Sequence, residues 1–305
     1  MTSLASAQVP SPGELVVDHV GHFVPHMDAA SSALETLGFT LTPFSAHSHR
    51  SEPGGPLVPA GAGNRCVILE RGYLEIVTPT GDTPHASQLR AAIRRYTGPH
   101  LIAFGTAAPE ADYARIRKSG FDPLPMVALQ RQIGTETGEG TVRFTVVRVP
   151  PGTMPEGRIQ FCRHDTPELV WQQRWIAHPN GAVALTGVIL CVADPQEAAR
   201  RYARFAGLLA QVADGVWRLT TARGYLVFVN PEQLGRRLEI APPALPWIAG
   251  CVLRSGDIAA TGEYLRQSKL PVRPLGGRWL LVKAPPEAGG IVVFEPVGAG
   301  ALNFN

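Results

Sequence analysis

Apolar and polar positions run through the same order four times along this chain. Leu15 to Val24 is an apolar run of strand length, Ala29–Leu37 carries apolar residues at helical spacing, and Gly38-Phe39 breaks out into extended chain. Asp28 stands where a helix N-cap is expected, and Gly38 where the C′ glycine is expected. Strand-like runs follow at Cys66–Leu69 and Tyr73–Val77. The order then repeats. Leu101–Thr106 reads as a strand, Glu110–Lys118 as a helix with a Gly120-Phe121 exit, and Val142–Val149 and Arg158–Arg163 as later strands. A third copy opens at Leu185–Val192, caps a helix with Asp194-Pro195, leaves it at Gly207-Leu208, and closes with Trp217–Thr220 and Tyr225–Val229. A fourth starts at Trp247–Leu253, caps a helix at Asp257, and ends with Trp279–Val282 and Ile291–Phe294.

Two closing strands nearly coincide. Arg71 to Pro79 reads RGYLEIVTP and Arg223 to Pro231 reads RGYLVFVNP. Repetition of this kind signals a duplicated fold. The copies differ where Glu75 faces Val227. A carboxylate in the middle of an apolar strand is costly unless something pairs with it, and a metal ion is one such partner.

Length and composition narrow the rest. With 305 residues, 45% of them apolar, the chain is long enough for two ordinary domains with a substantial core. The expected divisions are a flexible N-terminus over 1–13, a first domain over 14–171, a connector over 172–184 and a second domain over 185–305. The net charge of +3 is small and dispersed, with no basic run interleaved with aromatics, so nucleic acid is not an expected partner. Cys66, Cys162, Cys191 and Cys251 show no CxxC spacing and read as buried free thiols. No basic leader with a long apolar core opens the chain, and no apolar run approaches a membrane span. The expectation is a soluble cytoplasmic protein, monomer or homodimer, whose partner is a small-molecule substrate or ligand.

Asp18-His19-Val20, the helix exit Leu37-Gly38-Phe39, Gly63-Asn64-Arg65 and Tyr73-Leu74-Glu75 together resemble the glyoxalase-like domain family. That family belongs to the vicinal-oxygen-chelate superfamily of glyoxalases, extradiol dioxygenases and bleomycin-resistance proteins. The resemblance covers nearly the whole chain. It implies an α+β fold in which four βαβββ modules pair into two cupped, incomplete barrels. It also implies a divalent metal (Fe, Zn, Mn, Ni or Co) held by one ligand from the first and one from the last strand of each paired module. Carried over by position, those ligands are His19, Glu75, His100 and Gln160, the last a neutral and poorer donor.

Strand alternation groups His19 with Val17 and Gly21, Glu75 with Tyr73 and Val77, and Gln160 with Cys162 and His164. His164 is therefore a candidate general acid or base beside the metal, with Glu168 from the HTPELVW stretch bordering the pocket. Asn64 and Arg65 are candidate substrate contacts at the mouth of the cup. Each has a structural alternative: a hydrogen-bonded core histidine for His19, a solvated strand face for Glu75, a strand-entry residue for His100, a surface turn for Arg65, and a packed linker for the Arg163 to Ala182 stretch. His22 and His26 read as bystanders. His47 and His49 read as surface residues of a long loop from Phe44 to Gly63, a length that suggests a lid.

The third and fourth modules lack ligands at the matching positions, so the C-terminal half reads as metal-free. Two functions follow from the resemblance. One is a metal-dependent enzyme with lyase, isomerase or dioxygenase chemistry on a small oxygen-chelating substrate. The alternative is a metal-free small-molecule-binding protein of the bleomycin-resistance type.

Overall fold

The computed structural model describes residues 4–50, 55–136 and 138–304. The first module comprises β1 (Val16–Phe23), α1 (Met27–Thr36), β2 (Ser45–Arg50), β3 (Leu57–Ile68) and β4 (Tyr73–Pro79), and α2 (Pro84–Arg95) leads out of it. The second comprises β5 (Gly98–Gly105), α3 (Pro109–Lys118), β6 (Val127–Thr135), β7 (Gly138–Arg148) and β8 (Arg158–His164), followed by the short α4 (Pro167–Val170). The third is β9 (Ala182–Cys191), α5 (Pro195–Ala206), β10 (Ala210–Ala213), β11 (Val216–Thr220) and β12 (Tyr225–Val229), with α6 (Pro231–Leu238) after it. The fourth is β13 (Trp247–Ser255), α7 (Ile258–Gln267), β14 (Val272–Leu275), β15 (Trp279–Lys283) and β16 (Ile291–Glu295). The fold is the α+β arrangement of four βαβββ modules.

Local chemistry accounts for the helix ends. The Asp194 side chain accepts from the Gln196 and Glu197 amides, Pro195 sits at the first turn of α5, and Gly207 leaves the helix at φ 68°. Asp257 caps α7 in the same way. At α1 the N-cap is His26, and Asp28 lies inside the first turn, where its charge favours the positive end of the helix. Among the described residues no helix is long and apolar enough to cross a membrane.

The modules pair into two eight-stranded sheets. The first runs β1-β4-β3-β2-β6-β7-β8-β5 and closes into a barrel; the second runs β10-β11-β12-β9-β13-β16-β15-β14 and stays open. Closure of the first exceeds the expected incomplete barrel. It comes from the long strands β3, β6 and β7, and the last contact is Ser48 with Gln130 between β2 and β6. In the second sheet the corresponding edge strands β10 and β14 have only four residues each and do not meet.

The outer faces of both sheets and the helices between them share one apolar core. Phe161 stacks on Phe205 with ring centroids 4.7 Å apart, and the Arg115 guanidinium lies over Phe161 while donating to the Phe205 carbonyl. The repeated Arg-Gly-Tyr motif is part of this junction. The Val17 amide donates to the Arg223 carbonyl and the Leu185 amide to the Arg71 carbonyl, so each copy bonds the first strand of the other half. Gly72 takes φ 73°, and a Cβ there would stand 2.7 Å from the Asp18 carbonyl oxygen. The HPNGA stretch is a second tie. His178 accepts from the Thr40 amide and donates to the Ile68 carbonyl, while the Asn180 side chain donates to the Leu37 carbonyl. The N-terminal stretch expected to be flexible is held down from residue 4 onward: Gln8 is buried, donates to the Glu70 carbonyl and accepts from the Gly72 amide. Residues 1–3 lie outside the described residues.

The two concave faces differ. In the second sheet the cup is filled by Leu234 and Leu238 from α6 and by Leu302 and Phe304 from the C-terminal tail, with the Leu302 amide donating to the Tyr225 hydroxyl. In the first, the barrel interior retains a cavity of about 560 Å³.

Candidate functional site

The cavity is built from residues of every strand of the barrel, with α2 across one end. His19 and Phe23 come from β1, His47 and Ser48 from β2, Asn64 from β3, Tyr73, Glu75 and Val77 from β4, and His85 and Leu89 from α2. Leu101 of β5, Arg131 of β6, Phe144 and Arg148 of β7, and Arg158, Gln160 and Cys162 of β8 complete it. The spacing by two within β4 and β8 is the strand alternation that the sequence predicts, whereas in β1 a register shift between Val17 and His19 turns Val17 to the outer core, away from His19.

Glu75 is the centre of this arrangement. Its Oε2 lies 4.0 Å from His19 Nε2 and its Oε1 lies 3.9 Å from His47 Nε2, so the carboxylate faces an imidazole on either side. Asn64 donates its amide to Glu75 Oε1 at 2.5 Å. Burial by itself raises the Glu75 carboxyl, but His19, His47, Asn64 and Arg131 together hold it below its ordinary value. His47 is held below the ordinary histidine range, chiefly by burial.

His19 is oriented from behind. Its Nδ1 lies 2.6 Å from Asp18 Oδ2, and the same oxygen receives His164 Nε2 at 2.9 Å. Asp18 is fully buried; although burial opposes its charge, His164 and His19 outweigh it and keep the carboxyl ionised well below the usual range. A carboxylate that accepts from Nδ1 fixes the His19 tautomer with an open lone pair on Nε2, the atom turned toward Glu75. The His19 ring also stacks on Tyr73, with centroids 4.4 Å apart.

Asp18, Cys162 and His164 form a buried group of donor atoms within 4.8 Å of one another. Its chemistry is that of a hydrogen-bonding support. Asp18 already accepts from two imidazoles, and burial, with Asp18 beside it, pushes the Cys162 thiol well above its ordinary value, so it stays protonated. All four cysteines are free and buried.

The residues predicted from sequence divide between the cavity and its surroundings. His19, Glu75, Gln160 and Asn64 line it. His100 does not. It lies between the Tyr96 and Phe23 rings with Nε2 bonded to the Tyr96 carbonyl, and Leu101 takes the inward position. The expected register was wrong by one residue, which turns a strand side chain to the opposite face. Arg65 also points outward, donating to the Thr42 carbonyl with Glu35 3.8 Å away. His164 stands one layer behind the cavity, packed by Tyr73, Phe144 and Trp171, and acts on His19 through Asp18. Glu168 is exposed on α4 and does not line the cavity.

His47 is the residue that sequence reasoning missed. The expected Phe44 to Gly63 loop contains a hairpin of β2 and β3 whose strand β2 carries His47 into the cavity. The local sequence carries no alternation that would mark it, because the register of β2 shifts between Ala46 and Ser48 and the adjacent His47 and Ser48 both face the cavity. Residues 51–54 and the His49 side chain lie outside what is described.

The sequence profile of the glyoxalase-like domain family matches residues 17–206, more than half of the chain. The chain belongs to the glyoxalase-like domain family, within the vicinal-oxygen-chelate superfamily. A search of curated proteins found no match. Among solved structures, a hypothetical protein from Staphylococcus aureus is similar over 93% of this chain and 100% of its own, at 12% identity and a TM-score of 0.61. A xylose isomerase-like TIM barrel/4-hydroxyphenylpyruvate dioxygenase fusion protein is similar over 97% of this chain and 51% of its own, at 10% identity and a TM-score of 0.57. A mutant of 4-hydroxymandelate synthase from Streptomyces coelicolor is similar over 96% of each chain, at 13% identity and a TM-score of 0.54. These likenesses concern the fold.

Proposed function

We propose that this glyoxalase-like domain protein is a metal-dependent enzyme of the vicinal-oxygen-chelate type acting on a small substrate with adjacent oxygens, and that His19, His47 and Glu75 hold the ion. The observation that carries this reading is Glu75 between two imidazole Nε2 atoms at 4.0 and 3.9 Å inside the barrel cavity. Two imidazoles and a carboxylate suit Fe, Zn, Mn, Ni or Co. The donor set fits such an ion because Asp18 fixes the His19 tautomer and leaves its Nε2 lone pair free. When bound, the ion supplies Lewis-acid polarisation of the substrate oxygens.

The chain's own groups do the rest. Asn64 steadies the Glu75 carboxylate, the Asp18 to His164 pair keeps His19 aimed, and Phe23, Leu101, Phe144 and Val146 limit water around the substrate. Gln160 stands two strands round the wall from His19 and level with it: it pairs with Ala103, which pairs with His19. It contributes a dipole and no charge. The structural relatives named above include proteins with dioxygenase and synthase names, which accords with an oxygen-chelating substrate here.

The test is a metal titration of purified protein. Glu75→Gln keeps the shape and removes the only carboxylate of the set, so affinity is expected to fall by at least about tenfold. His47→Ala should also weaken binding, whereas Gln160→Ala should change it little. His100→Gln should leave metal affinity intact. Undiminished binding by Glu75→Gln would place the site elsewhere. Failure of the wild type to take up any of these metals would replace the enzyme reading with the metal-free binding protein.

A further inference from the structure

The cavity wall away from Glu75 carries two guanidinium groups that no ion pair among the described residues neutralises. Arg131, Arg148 and Arg158 all line the cavity, and Glu75 is the one carboxylate that lines it among the described residues. Among the described residues no ion pair includes any of the three arginines. Arg131 stands on the Glu75 side, over the Phe144 ring. The other two lie together on the opposite wall, where Arg148 is paired with Gln160 across β7 and β8.

Among the described residues, Arg158 has only neutral hydrogen-bond partners. It donates to Gln88 Oε1 at 2.8 Å and meets His85 Nδ1 at 3.4 Å, with its guanidinium 5.4 Å from the Phe23 ring centroid. His85 is kept neutral, its value lowered to about 4 by burial and by Arg158. Burial and the neighbouring Arg148 also push the Arg158 guanidinium down to about 10, with Glu75 opposing them only in part. A partly buried cation that lacks an ion-pair partner and lies beside a second cation is costly to the free protein, and an anionic ligand relieves that cost. Strand register gives the span. Arg158 pairs with Leu101, Leu101 with Gly21, and Gly21 with Glu75, so Arg158 and Glu75 sit level with each other. Three strand spacings, about 14 Å along the wall, separate their backbones, and both side chains reach inward from there.

We propose that this cavity binds a small molecule bearing an anionic oxygen group, carboxylate or phosphate, which Arg148 and Arg158 hold on the wall opposite Glu75. Planar guanidinium forks match the oxygens of either group and leave the remainder of the molecule directed toward Glu75. The assignment names the substrate class of the proposed reaction and rests on that reading only in calling the ligand a substrate.

The experiment is isothermal titration calorimetry of chelator-treated, dialysed protein with succinate, with inorganic phosphate, and with neutral succinamide. Wild type should bind at least one anion and should not bind succinamide; whichever anion binds more tightly identifies the group. Arg158→Gln and Arg148→Gln should each weaken that anion by at least tenfold, and Arg158→Lys, which keeps the charge without the fork, by less. Glu75→Gln should retain or tighten anion binding. Arg148 is exposed at the mouth, so its variant tests the assignment even if Arg158→Gln fails to fold. The assignment is overturned if wild type binds neither anion, or if Arg148→Gln and every folded Arg158 variant bind as wild type does. Metal uptake measured on the same samples separates the two readings. Anion binding without metal uptake removes the enzyme reading and leaves this one standing; metal uptake without anion binding does the reverse.

Discussion

Replacing Asp18 with Asn tests whether the buried carboxylate behind His19 sets the geometry of the cavity. Asp18 accepts from His19 Nδ1 at 2.6 Å and from His164 Nε2 at 2.9 Å, on the same oxygen, and is fully buried. Asn keeps the shape, loses the charge, and retains one acceptor atom. Hydrogen bonds to a charged group contribute about 1.5–3 kcal/mol each against about 0.5–1.5 kcal/mol to a neutral acceptor, so exchanging both costs about 2–3 kcal/mol gross. Against this stands the desolvation of the carboxylate, several kcal/mol, which the variant no longer bears. The direction of the Asp18 shift decides the sign. Its carboxyl is held below the ordinary range, so the imidazoles outweigh the cost of burial and removing the charge is net destabilising. We expect a loss of about 2 kcal/mol in urea unfolding at neutral pH, visible as a lower midpoint with an unchanged slope. The second readout is metal affinity. With its tautomer no longer fixed, His19 should present Nε2 less often, and affinity should fall about 10–100-fold. A variant that unfolds at the wild-type midpoint refutes the energetic argument. One that is less stable but binds metal as wild type does shows that Asp18 supports the core and does not position His19.

Acid should destabilise the protein well above the carboxylate range. Burial lowers His22 and His100 from 6.5 to about 4. Below 6.5 the unfolded chain takes up protons that the folded one refuses, so stability falls as pH drops from 6.5 to 4, by about 1.4 kcal/mol per unit for each histidine, in pH-dependent urea unfolding. A flat profile over that window would refute it. Gly72→Ala should cost about 2 kcal/mol or more, because the residue sits at φ 73° and the new Cβ would meet the Asp18 carbonyl; thermal melting at the wild-type midpoint would contradict this. Phe304→Ala should cost about 3 kcal/mol by emptying part of the second cup, read by chemical denaturation, while leaving metal uptake in the barrel unchanged.

The fourfold module was legible in the chain because it rests on local chemistry. Helix caps, Gly exits and apolar strands act within a few residues, and they repeat at Asp194, Asp257, Gly38 and Gly207. The contrast of Glu75 with Val227 pointed to the cup that keeps a polar interior, since an acidic residue in an apolar strand demands a partner wherever the strand goes. The shared Arg-Gly-Tyr motif proved to be the junction between the halves, a role that only the reciprocal bonds of Arg71 and Arg223 disclose. Which side chains meet inside the barrel was beyond a local reading. A one-residue difference in register exchanges His100 for Leu101, and nothing near Gly98-Pro99 specifies that register; pairing with β1 and β8 does. His47 was hidden for the converse reason. Periodicity identifies strands by their apolar side, and a strand facing a polar cavity shows none until the rest of the barrel closes around it.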